Sequence, residues 1–119
     1  MYVSIIIPTI RTEEEIANLI SEIKNSVAHE LDLIIVSNAN KSAAENRNIG
    51  LNKAKAEFIV MCDDDIEKFP YGWDRDLIDM LKHTGASMIG ARLLTLTALC
   101  IRQNIKILIY RRTLLKPEL

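Results

Sequence analysis

Phe58-Ile59-Val60-Met61-Cys62-Asp63-Asp64-Asp65 joins an apolar run directly to three consecutive aspartates. A run of that length and composition reads as a strand buried on both faces, as in a parallel sheet. Three carboxylates crowded at its end repel one another and are costly to hold near a buried strand. A divalent cation would remove most of that cost. Mg²⁺ and Mn²⁺ favour hard oxygen ligands, and Mg²⁺ commonly takes one or two carboxylates and fills its other positions with water and phosphate oxygens. Ligands in open α/β sheets also bind outside strand ends. For the triplet alone, the plainer alternative is an acidic loop solvated at the surface.

Strands and helices alternate on either side of this segment. Val3-Ser4-Ile5-Ile6-Ile7 is β-branched and stops at Pro8-Thr9, which reads as a strand and then a loop. Thr12 with Glu15 forms a capping box, and Ile16, Leu19, Ile20, Ile23 and Val27 recur at helical spacing. A second strand runs from Leu31 to Ser37, and Asn38-Ala39-Asn40-Lys41 is turn-prone. Ser42 with Glu45 makes a second capping box for a helix towards Ala54, with Gly50 as a weak point inside it. The third strand, Glu57 to Cys62, delivers the aspartates. Trp73 to Lys82 predicts a third helix with Trp73, Leu77, Met80 and Leu81 on one face, ended near Gly85, and Ser87 to Ala91 reads as a short fourth strand. This order, with short connections, predicts an α/β fold: a Rossmann-like three-layer sandwich on a mostly parallel sheet with right-handed crossovers. Beyond it, Leu93 to Cys100 is compatible with helix or strand, Ile105 to Tyr110 reads as a strand, and Arg111-Arg112 and Lys116-Pro117 form a basic end of the kind that is usually solvated.

The chain has 119 residues, enough for one domain with a real core. Its net charge of −1 offers no general attraction for nucleic acid or membrane, and no nucleic-acid partner is expected. The charge is unevenly placed: residues 1–91 carry 9 basic and 15 acidic side chains, residues 92–119 carry 6 and 1. Cys62 reads as a reduced, packed thiol, and neither His29 nor His83 has a partner at zinc-ligand spacing. The amino terminus runs straight into a strand without a signal-peptide pattern. No apolar stretch approaches the roughly 20 residues that span a bilayer. The expected compartment is the cytoplasm.

Neither a G-x-G-x-x-G turn nor a G-x-x-x-x-G-K-[ST] loop is present, so the usual dinucleotide and P-loop folds are unsupported. A receiver domain would want acids after the first strand, where this chain has Pro8-Thr9. The combination of Val3 to Thr9, Asn46-Arg47-Asn48-Ile49-Gly50-Leu51 with Ala54, Phe58 to Asp65, and Gly72-Trp73 with Leu77 resembles the amino-terminal half of a family 2 glycosyltransferase of GT-A fold. The resemblance covers roughly residues 2–94. It implies a nucleotide-sugar-binding domain over residues 1–94, with residues 95–119 an extension packing on the same domain or on a second subunit.

By that resemblance Asp63-Asp64-Asp65 is similar to the family's D-x-D motif, with Asp63 and Asp65 as metal ligands for Mn²⁺ or Mg²⁺. Pro8, Thr9, Ser37, Asn38, Arg47, Asp63 and Asp64 are then the nucleotide-sugar-binding residues. Pro8 and Thr9 match a loop against the base, and Arg47 matches an arginine near the nucleotide; its alternative is a helix-surface residue paired with Glu45 or Asp64. Two departures stand out. Ser37-Asn38 replaces the acid that commonly recognises the base, and an amide offers a different donor and acceptor pattern. The likeness also fades after Leu94, before the family's acceptor half, so no residue is nominated as catalytic base. The implied activity is transfer of a hexose-type sugar from a nucleoside diphosphate to an unknown acceptor. The alternative is a catalytically inactive nucleotide-sugar-binding or scaffold module lacking the acceptor half. The apolar residues of Leu93 to Leu119 predict a homodimer through that segment.

Overall fold

The structure, a computed structural model, describes residues 2–38, 40–92 and 105–111. Its elements are β1 (Tyr2–Pro8), α1 (Glu13–Ser26), β2 (Glu30–Val36), α2 (Ala43–Lys53), β3 (Phe58–Cys62), α3 (Trp73–Thr84), β4 (Met88–Arg92) and β5 (Ile105–Arg111). They build one five-stranded sheet in the order β2-β1-β3-β5-β4. β1 lies at the parallel core, with Tyr2 to Pro8 in register with Glu30 to Val36 on one side and Val3 to Ile6 with Phe58 to Met61 on the other.

The alternation of side chains along the strands creates two apolar layers. Val3, Ile5 and Ile7 face one side with Phe58, Val60 and Cys62, where Leu19 and Ile23 of α1 and Ile78 and Leu81 of α3 cover them. Ile6 and Ile59 face the other with Ile34 and Val36, under Ile49, Leu51 and Ala54 of α2 and its carboxyl end. This is the expected three-layer arrangement. Both capping boxes form as the sequence predicts, each hydroxyl accepting from the backbone N–H three residues on. The Thr12 backbone N–H and hydroxyl in turn hold the Glu15 carboxyl below its ordinary range.

Three details differ from the sequence reading. β4 does not join β3 as the next parallel strand; β5 lies between them, antiparallel to both. Ile107, Ile109 and Tyr110 are buried there, so β5 is a central strand and the sheet is mixed. The α3 face is centred on Leu81, with Ile78 and Asp74 buried and Met80 exposed. The third concerns Gly50. A Cβ there would stand 2.4 Å from Ile6 Cγ2, so the glycine is what lets α2 approach β1 closely rather than a weakness in the helix. The predicted segment Leu93 to Cys100 and the basic end after Arg111 lie outside the described residues, as does most of the segment on which the homodimer expectation rests.

Candidate functional site

Because β1, β2 and β3 run parallel, the loops after them emerge at one edge of the sheet. These are Thr9 to Arg11, Ser37 to Lys41 and the aspartate triplet. The first and third are joined directly: Thr9 Oγ1 donates to Asp64 Oδ2 at 2.7 Å. Thr9 is itself buried, and its backbone N–H donates to the Val36 carbonyl at 3.0 Å, which ties the β1 loop to the end of β2. The Arg11 backbone N–H donates to Thr9 Oγ1 at 3.0 Å, and Arg11 Nε stands 3.6 Å from Asp64 Oδ2. Asp64 is therefore the half-buried member of the triplet, held from the β1 loop, while Asp63 and Asp65 are exposed on either side of it.

The triplet rests on a firm base. Cys62 is a buried free thiol whose Sγ donates to the Asp63 carbonyl at 3.3 Å. Burial, with the neighbouring aspartates adding to it, pushes the thiol up to about 12, so it stays protonated and inert. Ile66 and Phe69 bury themselves just beyond the triplet, and Phe69 stacks on Trp73 with ring centroids 4.9 Å apart. The Trp73 indole N–H donates to Ser26 Oγ at 2.9 Å and the Gly72 N–H to the Ser26 carbonyl at 2.7 Å. Asp74, wholly buried, accepts from the Ala28 and His29 backbone N–H groups at 2.8 and 3.0 Å and lies 3.0 Å from His29 Nδ1. Gly72-Trp73-Asp74 thus works as a structural clasp between α3 and the end of α1.

The remaining candidates flank this centre. Pro8 closes β1 opposite Val36. Ser37 is exposed, and Asn38 is half-buried in an Asx turn, its Oδ1 accepting from the Asn40 N–H at 3.1 Å and its carbonyl from Asn46 Nδ2 at 3.1 Å. Arg47 is exposed on α2 and forms no ion pair among the described residues, with neither Glu45 nor Asp64. Glu45 instead faces Lys41 at 3.7 Å, and the cation at Asp64 is Arg11. Arg11 is not among the residues the sequence singles out, because its pairing with Asp64 depends on β1 and β3 being neighbours. Asn46, quoted in the sequence only as part of the motif around Arg47, packs under the Asn38 turn with a buried Oδ1 that has no hydrogen-bond partner among the described residues. No three His, Cys, Asp or Glu side chains converge as a metal-holding group among the described residues. Asp63 and Asp65 lie exposed at the flanks of the triplet, and Asp64 between them is held by Thr9 and Arg11.

Residues 27–95, over half the chain, match the model of glycosyl transferase family 2, a stretch that takes in Asn46 to Gly50 and the triplet. The chain belongs to glycosyl transferase family 2. Its fold is GT-A-like: it is similar to the crystal structure of S. aureus TarS 1–349, with a TM-score of 0.63 and 16% identity over 97% of this chain and 48% of that one. The family 2 chain described here spans about half the length of that structure. Comparison with curated proteins finds no match. Among the described residues no helix is long and apolar enough to cross a membrane.

Proposed function

We propose that the loops at the carboxyl ends of β1, β2 and β3 bind a nucleoside-diphosphate sugar, and that the chain takes part in transferring the sugar to an acceptor. The observation that carries this reading is the Thr9–Asp64 hydrogen bond, which makes the β1 loop and the aspartate triplet one site in a glycosyl transferase family 2 chain. Pro8, Thr9, Ser37 and Asn38 form the edge for the base. With Oδ1 of Asn38 already accepting from Asn40, its amide NH₂ is the group turned to a base, a donor where a carboxylate would accept. Arg47 stands on the helix beside that edge.

Asp63 and Asp65 suit Mn²⁺ or Mg²⁺, since such an ion needs only one or two carboxylates when phosphate oxygens and water complete its shell. When bound, the cation offsets the negative charge that develops on the departing diphosphate. Asp64, between them, is engaged by Thr9 and Arg11. The apolar content of residues 93–119 supports a homodimer as the working form, which light scattering at micromolar concentration would disprove by returning a monomer mass.

The experiment is calorimetric titration with uridine, guanosine, adenosine and cytidine diphosphates, with and without Mn²⁺. Saturable binding of at least one of them that strengthens with Mn²⁺ is expected. Binding of none of them refutes the reading.

A further inference from the structure

Arg11 is held in an unusual way for an exposed arginine. A surface ion pair ordinarily contributes little, because both long side chains must be ordered in water. Here one partner is a half-buried carboxylate fixed by a hydrogen bond of 2.7 Å, and the Arg11 backbone is tied to the same threonine hydroxyl that makes that bond. Thr9, Arg11 and Asp64 close into a triangle whose anchor, Thr9, is only 5% exposed. The contact between Arg11 Nε and Asp64 is 3.6 Å, longer than a hydrogen bond, so the guanidinium is positioned without being saturated. Its two remaining nitrogens carry the four N–H donors that suit bidentate capture of a phosphate oxyanion.

Electrostatics give such a cation a purpose. A diphosphate approaching three adjacent carboxylates meets like charge, and positive charge beside it must come from a metal or from the protein. Resting on the function proposed above, we infer that Arg11 is a diphosphate-binding residue of this site and that Asp64 is its positioning residue rather than a metal ligand. The acidic triplet then divides its labour. The outer pair serves the cation, and the central carboxylate holds an arginine against the phosphates.

The test uses the whole chain and calorimetric titration of the four nucleoside diphosphates in Mn²⁺. Arg11→Ala should weaken the diphosphate that the wild type binds by about ten- to a hundredfold, the loss of a charge-assisted contact. Arg11→Gln, which keeps a long polar side chain without the charge, should do the same, and serves if the alanine variant folds poorly. Asp64→Asn should weaken binding in the wild type and add nothing in the Arg11→Ala background, because it acts through Arg11. Lys24→Ala on the exposed face of α1 should change nothing. Affinity of both Arg11 variants within twofold of wild type, or additive losses in the double variant, overturns this inference while leaving the proposed function standing. A wild type that binds none of the four overturns both.

Discussion

Replacing Gly50 by alanine tests the packing that brings α2 against β1 and β2. An added Cβ would lie 2.4 Å from Ile6 Cγ2 and 3.3 Å from Val36 Cγ2, against the 3.5–4.0 Å at which carbon atoms attract. Ile6 is wholly buried and β-branched, so its χ1 has nowhere to turn, and the helix must back away by roughly 1 Å. Overpacking of this kind costs about 1–3 kcal/mol, and a contact this short belongs at the upper end. The better helix propensity of alanine returns about 1 kcal/mol. The net loss is then about 1–2 kcal/mol, or a fall in Tm of roughly 4–8 °C for a domain of this size. Circular dichroism melts and urea titrations read it directly. Ile6→Ala removes the obstructing methyl, so Gly50→Ala should be neutral or stabilising in that background. A Gly50→Ala protein at least as stable as wild type would refute the close approach of α2 to β1.

Other consequences are as direct. Asp74→Ala leaves two half-buried backbone N–H groups without their acceptor and frees the α1–β2 connection from α3; it should destabilise the chain by about 2–3 kcal/mol in urea unfolding. In a Cys100→Ser background Cys62 should resist alkylation at pH 8 until urea unfolds the chain, and its raised thiol pKa fixes the sign of a pH effect. The folded chain holds that proton more tightly than the unfolded one, so the contribution to stability is complete below about pH 9 and is lost as pH rises towards 12. Thr12→Ala should cost about 1 kcal/mol by dismantling the first capping box, measured in the same melts.

Where local chemistry and tertiary structure pull the same way, the sequence alone is sufficient. Thr12 with Glu15 and Ser42 with Glu45 locate two helix starts because a capping box is a local hydrogen-bond pattern. The runs Ile5 to Ile7 and Phe58 to Cys62 announce doubly covered parallel strands for the same reason. What eludes the sequence depends on contacts distant along the chain. Nothing in Ile105 to Arg111 specifies insertion between β3 and β4, since a strand buried on both faces can be central in either direction. Asp74 mis-centres the α3 stripe because a carboxylate reads as solvent-facing until Ala28 and His29, 46 and 45 residues away, supply its hydrogen bonds. At the site, the triplet and Thr9 stand out as motifs, whereas the pairing of Asp64 with Arg11 instead of Arg47 emerges only once β1 and β3 are neighbours.

The proposed diphosphate site depends on a cation held by Asp63 and Asp65. That dependence is tested most directly by titrating the four nucleoside diphosphates into the wild type and into Asp65→Ala, each with and without Mn²⁺. Mn²⁺ should tighten binding to the wild type, and Asp65→Ala should abolish the gain while its circular dichroism spectrum stays native. Equal affinity of the wild type with and without Mn²⁺ would contradict it.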